Sequence, residues 1–247
     1  MKLKVLERSN EVIRYLRMFL RDNLIMRRTF YPFIRWLMVD VFKYRLHAMR
    51  KYGYEAVAKI QKSSDRVRIS CFPMFGTLLG FVRDGGFISH DNDMDFMICE
   101  EAMLEKFYHS LINEGFTFGR YILFDGKFKE FTMRYKECSI DFFGCGDVLG
   151  DNMIKVHTEN YGDFWGALEF PKPCNPQPYE VHGVETVLPK NYEEILRLNY
   201  GDYHNRIENW NSTMAPAFRK DNDNHLVKIS FDESEWELWL KDRPHAN

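Results

Sequence analysis

The amino-acid sequence predicts an α/β protein of the α+β kind: a small mixed sheet flanked by helices, preceded by an N-terminal helical extension. Two observations carry this. Apolar residues recur at helical spacing through roughly the first sixty positions, and from about residue 67 short apolar runs are separated by turns and helix-length segments. The chain of 247 residues is 45% hydrophobic and 28% charged, enough for one core domain with appended helices.

The elements follow in order. Leu3, Val5, Leu6, Val12, Ile13 and Leu16 mark a helix over residues 3–22. Pro32 breaks that pattern. A longer helix is predicted from about Phe33 to Gln61, interrupted near Gly53. Its face carries Ile34, Leu37, Met38, Val41, Leu46 and Met49, interleaved with Arg35, Lys43, Arg45, Arg50 and Lys51. Such a helix packs on a core and solvates its basic face; a peripheral membrane contact is the alternative. Ser63-Ser64-Asp65 reads as a turn and Val67–Phe72 as a strand closed by Pro73. Residues 77–83 form a short helix ended by Gly85-Gly86. Met94–Cys99 is a buried strand and Glu101–Asn113 a helix, with strands near Phe128–Tyr135 and Cys138–Phe143. Beyond Gly144 the chain reads as irregular, with turns through Pro171–Pro178, a hairpin at Val181–Val187 and a helix from Asn191 to Tyr200. These signals divide the chain into an N-terminal helical extension at 1–62, a catalytic core at 63–205 and a C-terminal extension at 206–247.

Charge narrows the function classes. The net charge of −2 marks no nucleic-acid partner. Residues 1–52 hold 13 Lys or Arg against 4 Asp or Glu, so a basic entry segment precedes an acidic body. No apolar run approaches the roughly 18–20 residues needed to span a bilayer, and no secretory signal is seen. Five scattered cysteines without a C-x-x-C pair suggest reduced thiols in a cytosolic protein.

The chemistry concentrates in Gly76-Thr77 and in Asp91-Asn92-Asp93-Met94-Asp95. Strand side chains alternate between faces, so Asp93 and Asp95 share one, and Asp91 joins them if the strand reaches that far. Two or three carboxylates on one face repel, and burying them unpaired is costly. A divalent cation resolves the conflict, and Mg²⁺ favours one or two carboxylates with substrate phosphates completing its shell. Gly76 lets backbone approach a ligand, and the helix that follows offers N–H groups to a phosphate. Asp141, alone amid the apolar residues of a later strand, completes a three-carboxylate site if the two strands are neighbours. A Gly-Ser/Thr turn, a D-x-D strand and a third Asp beside it form the arrangement of the nucleotidyltransferase fold.

The whole run Gly76–Asp95 resembles the signature of the LicD family, roughly G-T-L-L-G-x-x-R-x-x-x-x-I-x-x-D-x-D-x-D. That family includes bacterial phosphocholine transferases and is related to the fukutin proteins. Ile140-Asp141-Phe142, Pro189–Tyr192 and Tyr200–Tyr203 extend the likeness to about residues 70–205. Ser89-His90 and Asn92 depart from it. The resemblance implies transfer of a phosphorylated small alcohol, such as phosphocholine or ribitol phosphate, from a CDP-linked donor to a sugar hydroxyl of a cell-surface glycan or its precursor. On this reading Asp93, Asp95 and Asp141 hold Mg²⁺ or Mn²⁺, and Asp141 or Asp91 serves as base. Gly76 and Thr77 lie near the donor phosphates, and Arg83 neutralises charge on the transferred group. A lipid-linked acceptor would place the enzyme in the cytoplasm at the inner face of a membrane, held by its basic N-terminal helices. The same metal site would serve a nucleotidyltransferase acting on a small molecule, a D-x-D glycosyltransferase using a nucleotide sugar shares the acidic motif, and the fold can persist as a binding module.

Overall fold

A computed structural model describes residues 24–150, 152–160, 164–221, 228–231 and 235. The helix expected at 3–22 lies outside them.

One helix, α1, runs over Leu24–Val67. It passes through Pro32 and Gly53, where the sequence suggested breaks, and takes in Ser63-Ser64-Asp65, read above as a turn. Ser64 Oγ donates to the Ile60 carbonyl within the helix (2.9 Å), so its hydroxyl is satisfied without leaving helical geometry. The expected strand at 67–72 shortens accordingly to β1, Cys71–Pro73. A short helix α2, Phe75–Leu79, continues as a π-helical turn, Gly80–Asp84. Then come β2, Asp93–Ile98, and helix α3, Leu104–Asn113. Strands β3, Thr117–Phe124, β4, Lys127–Tyr135, and β5, Cys138–Gly144, complete the centre.

The main sheet has the order β1-β2-β5-β4-β3-β12, with β12 at Lys228–Phe231. Only β2 and β5 run parallel among neighbours, so the sheet is mixed as predicted. The region beyond Gly144 is far from irregular. Strands β6, Asp147–Leu149, β7, Met153–Asn160, β8, Trp165–Pro171, and β11, Phe218–Asp221, build a second, antiparallel sheet. Polar and proline residues masked their alternation. Strands β9, Pro176–Val181, and β10, Val184–Pro189, form the expected hairpin, and helix α4 covers Tyr192–Tyr200.

Period-two alternation gives the main sheet two different faces. Phe96, Phe142 and Phe131 are register partners across β2, β5 and β4. Their rings stack at 5.8 and 4.7 Å, and Phe107 of α3 stands edge-on to Phe142 at 5.5 Å. Burying such a row stabilises the sheet by roughly 1.5–3 kcal/mol per ring. One residue earlier on β2, the row Asp95, Asp141, Thr132 occupies the opposite face.

Helix α1 is clamped to this core at two places. Lys59, Lys62 and Arg66 all reach Glu114 at the end of α3, at 3.4, 2.9 and 2.6 Å. Hydrogen bonds from Lys62 and Arg66 pull the Glu114 carboxyl down to about 2. One turn before Lys59, Tyr135 and Lys136 both donate to Glu55. The expectation of five reduced thiols is corrected: Cys99 and Cys145 form a disulfide, with their Cα atoms 5.2 Å apart. They follow directly on Ile98 and Gly144, paired neighbours on β2 and β5, so the register delivers them side by side. Among the described residues no helix is long and apolar enough to cross a membrane.

Two outcomes are expected. Glu114→Gln should cost about 1–2 kcal/mol at pH 7, discounted because Lys62 and Arg66 face solvent. Since the folded carboxyl titrates lower than the unfolded one, its contribution is present above about pH 4.5 and lost as pH falls towards about 2. Denaturant titrations of both proteins against pH should converge there; a gap independent of pH would exclude the ionic account. Alkylation of unfolded, unreduced protein should label Cys71, Cys138 and Cys174, whereas modification of all five cysteines would exclude the disulfide.

Candidate active site

The carboxylates converge because two tight turns and one register choice bring them together. Parallel pairing of β2 with β5 sets Asp95 beside Asp141, and Asp93 two residues before Asp95 shares its face. The Met74 N–H donates to the Asp95 carbonyl, and the Asp95 N–H donates to Thr77 Oγ1, each at 2.9 Å. Thr77 is therefore a buried clip between α2 and β2, and its hydroxyl is spent on Asp95. Gly76 faces the acids directly: a Cβ there would overlap Asp91 Oδ2. Phe75 beside it takes φ +47°, a left-handed conformation that costs a bulky residue on the order of 1–2 kcal/mol. Its ring stands edge-on to Phe143 and Phe170 at 5.3 and 6.1 Å, packing that holds the conformation in place.

These elements wall a cavity of about 1000 Å³ between the acidic face of the main sheet, the second sheet and the segment following α4. Gly76, Arg83, Asp91 and Asp95 line it. Asp93 and Asp141 lie next to that wall rather than on it. The loop carrying Asp91 is braced by α1. The Arg50 guanidinium donates to the Ser89 carbonyl at 3.0 Å, and Tyr54 packs on Phe87 at 4.6 Å. Arg83 sits at the cavity edge in a two-point ion pair with Asp84, at 2.9 and 3.0 Å. Asp84 also receives Arg206 at 3.2 Å.

Burial and mutual repulsion dominate the electrostatics. Burial, then the charge of Asp91, pushes Asp93 up to about 7. Burial, then Glu130, pushes Asp141 up to about 7. Burial, then the charges of Asp93 and Asp141, holds Asp95 well above the carboxylate range, and burial raises Asp91. The chain offsets part of this charge. Thr132 Oγ1 donates to Asp141 at 2.5 Å, and Arg120 pairs with Glu130 at 2.6 Å. Arg45 of α1 adds its field at Asp93 and Asp141; burial lowers its own affinity for a proton and those two acids work against that. Burial, then the charges of Asp95 and Asp91, raises the Tyr200 phenol, and its ring packs on Trp210 at 4.6 Å.

Sequence reasoning missed Arg45, Arg120, Glu130, Thr132 and Tyr200. The alternation Glu130, Thr132, Arg134 between apolar neighbours was the available signal for a polar face on β4. On the second sheet side, Phe164 sits beneath Lys220, and Trp165 is buried against Phe124 at 4.9 Å.

As the side chains stand, no three His, Cys, Asp or Glu groups among the described residues converge as ligands on one point. The donor set nonetheless suits a hard divalent cation. It is all oxygen, like-charged and enclosed, and burial together with repulsion between the acids raises its proton affinity.

A mixed sheet bearing an Asp-x-Asp strand, a third Asp on its parallel neighbour and a Gly-Thr turn over a deep cavity defines a nucleotidyltransferase-like transferase domain. The family model described as LicD/FKTN/FKRP, nucleotidyltransferase domain, matches residues 68–191, half of the chain, and the chain belongs to that family. Among solved structures it is similar to the crystal structure of ANT(2")-Ia in complex with adenylyl-2"-tobramycin. That match has 12% identity, a TM-score of 0.41, and covers 66% of this chain and 83% of the other. The solution structure of ANT(2'')-Ia matches with 12% identity, a TM-score of 0.40, and coverage of 68% and 80%. No curated protein matches the chain.

The raised carboxyls make a prediction for metal-free protein. Their folded-state proton affinity exceeds the unfolded one, so their contribution is fully present below about pH 4 and lost as pH rises through about 7. In EDTA at pH 8, Asp95→Asn should raise the melting temperature by several degrees, at about 2–4 °C per kcal/mol. The gap should shrink as pH falls towards 4. A melting point lowered at pH 8, or shifted equally throughout, would show that the acids do not strain the fold.

Proposed function

We propose that this protein is a metal-dependent phosphotransferase. It moves a phosphorylated small alcohol (phosphocholine, ribitol phosphate or similar) from a CDP-activated donor to a sugar hydroxyl of a cell-surface glycan or its precursor. The observation that carries the reading is the acidic row of Asp95 and Asp141, flanked by Asp93 and Asp91, opening on a cavity of nucleotide size.

In this reading Asp93, Asp95 and Asp141 would hold Mg²⁺ or Mn²⁺. When bound, the cation offsets the negative charge of the donor phosphates and of these acids. Gly76 and Thr77 would lie near the donor phosphates; Gly76, bare of a side chain, leaves room for the Asp91 carboxyl, and Thr77 keeps Asp95 in place. The acceptor oxygen attacks the phosphorus of the alcohol phosphate. The bond from that phosphorus to the bridging oxygen breaks, its electron pair stays on that oxygen, and CMP departs. Asp91, on the cavity wall while Asp141 is bonded to Thr132, takes the hydroxyl proton. Arg83 and Arg206 at the rim, sharing Asp84, leave one net positive charge to meet an anionic substrate. A lipid-linked acceptor, with the basic N-terminal segment holding the enzyme at the inner membrane face, fits the charge asymmetry of the chain. A disulfide is uncommon in a reducing cytosol, so the thiol count in protein from its native cell also tests this compartment.

Calorimetry with CDP-choline, CDP-ribitol, CDP-glycerol and UDP-sugars, with and without Mg²⁺, decides the reading. A CDP donor is expected to bind only with the metal, and Asp93→Ala should weaken it by a hundredfold or more, about 3 kcal/mol or above. Binding of UDP-sugars alone would move the protein to the glycosyltransferases. No binding with or without metal would make it a binding module.

A further inference from the structure

Tyr200 ends helix α4 on the wall of the cavity, and the fold holds its ring in place. Helix α4 packs on α2, which carries Gly76, and on β8 of the second sheet. The Gly201 N–H donates to the Arg197 carbonyl at 2.8 Å. Gly201 then takes φ +69° and ψ −125°, a conformation open to glycine, so the helix stops there and the chain turns back. The returning segment lays Trp210 on the Tyr200 ring at 4.6 Å. What these contacts leave unused is the hydroxyl. Enclosed tyrosine hydroxyls ordinarily find a partner. Tyr179 donates to the Phe81 carbonyl at 2.7 Å, Tyr135 donates to Glu55 at 2.5 Å, and Tyr54 accepts from the Phe87 N–H at 3.4 Å. Among the described residues no group hydrogen-bonds the Tyr200 phenol. It borders the cavity together with Gly76, Arg83, Asp91 and Asp95, and the charges that act on it most are Asp95, Asp91 and then Arg83. The phenol and the acids therefore face one section of the cavity, and no bond closes the space between them.

We propose that the Tyr200 phenol is a substrate-binding group that donates a hydrogen bond to a phosphate oxygen of the nucleotide donor, lying in the space between Tyr200 and the acidic row. The inference rests on the phosphotransferase reading for the identity of the donor, though any diphosphate has the chemistry it requires. A neutral O–H suits this place. It offers a donor to an oxyanion without cancelling the charge of the acids, and a hydrogen bond to a charged oxygen gains strength where water is excluded. Burial and the neighbouring aspartates keep the phenol protonated, so it remains a donor and takes no proton from the acceptor. The Trp210 ring fixes the direction of the O–C bond before the ligand arrives, which spares part of the ordering cost of binding.

The test measures binding of inorganic pyrophosphate, CDP and cytidine to the full chain in Mg²⁺, for wild type and for Tyr200→Phe, which keeps the ring on Trp210 and removes only the hydroxyl. Affinity for pyrophosphate and CDP should fall about tenfold to a hundredfold, the worth of one hydrogen bond to a charged group. Cytidine, which carries no phosphate, should not distinguish the two proteins. The melting temperature should stay within about a degree of wild type, because the lost hydroxyl leaves no partner behind. Pyrophosphate and CDP affinities that stay within twofold would overturn the proposal. So would a variant that melts well below wild type, since the hydroxyl would then be a structural partner. Should the wild type bind pyrophosphate but not CDP, the CDP reading fails while the pyrophosphate comparison still decides the role of Tyr200. Should the wild type bind neither, both fall.

Discussion

The interaction on which this structure depends is a repulsion. Asp91, Asp93, Asp95 and Asp141 lie together in an enclosed setting; burial raises the proton affinity of all four, and repulsion from neighbouring acids adds to it at Asp93, Asp95 and Asp141. Nothing in the packing of the domain asks for this. The opposite face of the same sheet shows the alternative, a stacked row of Phe96, Phe142 and Phe131 that contributes stability outright. Because strand side chains alternate, the two rows are one residue apart and cannot be separated. The apolar row anchors β2 to β5 and so forces the acids together.

The surrounding chain manages that strain without removing it. Thr132 donates to Asp141, Arg120 binds Glu130, and Arg45 of α1 places its field over Asp93 and Asp141. Helix α1 thereby does more than cover the sheet. Through Glu114 and Glu55 it is tied to α3 and β4, and through Arg50 and Tyr54 it braces the loop that ends in Asp91. A segment outside the residues matched by the family model contributes to both the rigidity and the charge of the site.

How much of this was legible in the sequence follows from which signals are local. The D-x-D alternation and the lone Asp141 sit inside apolar strands, so period two reveals their shared face, and the mixed sheet follows from the elements around them. The second sheet did not show itself, because Lys155, Thr158 and Glu169 interrupt its apolar positions and its last strand arrives from beyond residue 217. Thr77 was readable as a site residue but not in its role, since its bond to the Asp95 N–H joins positions 18 apart in the chain. The β-bulge at Lys129, between β3 and β4, was likewise hidden: in the sequence it is one more residue in a strand, and only the pairing with Ile122 and Leu123 gives it an orientation. The Cys99–Cys145 bond misled for the same reason, since a sequence separation of 46 conceals a one-step continuation of the β2–β5 register.

The partial character of the compensation is itself informative. Arg120 is taken up by Glu130, Arg83 by Asp84, and Arg45 is shared between two acids and repelled by Arg134. Had the fold needed only to offset the charge of Asp95, an arginine aimed at its carboxyl would have served. Instead Met74 and Thr77 bond only the main chain of Asp95, and its carboxyl faces the bare side of Gly76, none of which carries charge. The uncompensated charge is concentrated where the chain has withheld side chains. A site arranged in this way would gain most from a ligand that brings its own positive charge, and that gain would be confined to the folded state, which is the sense in which the arrangement supports the proposed metal-dependent reading.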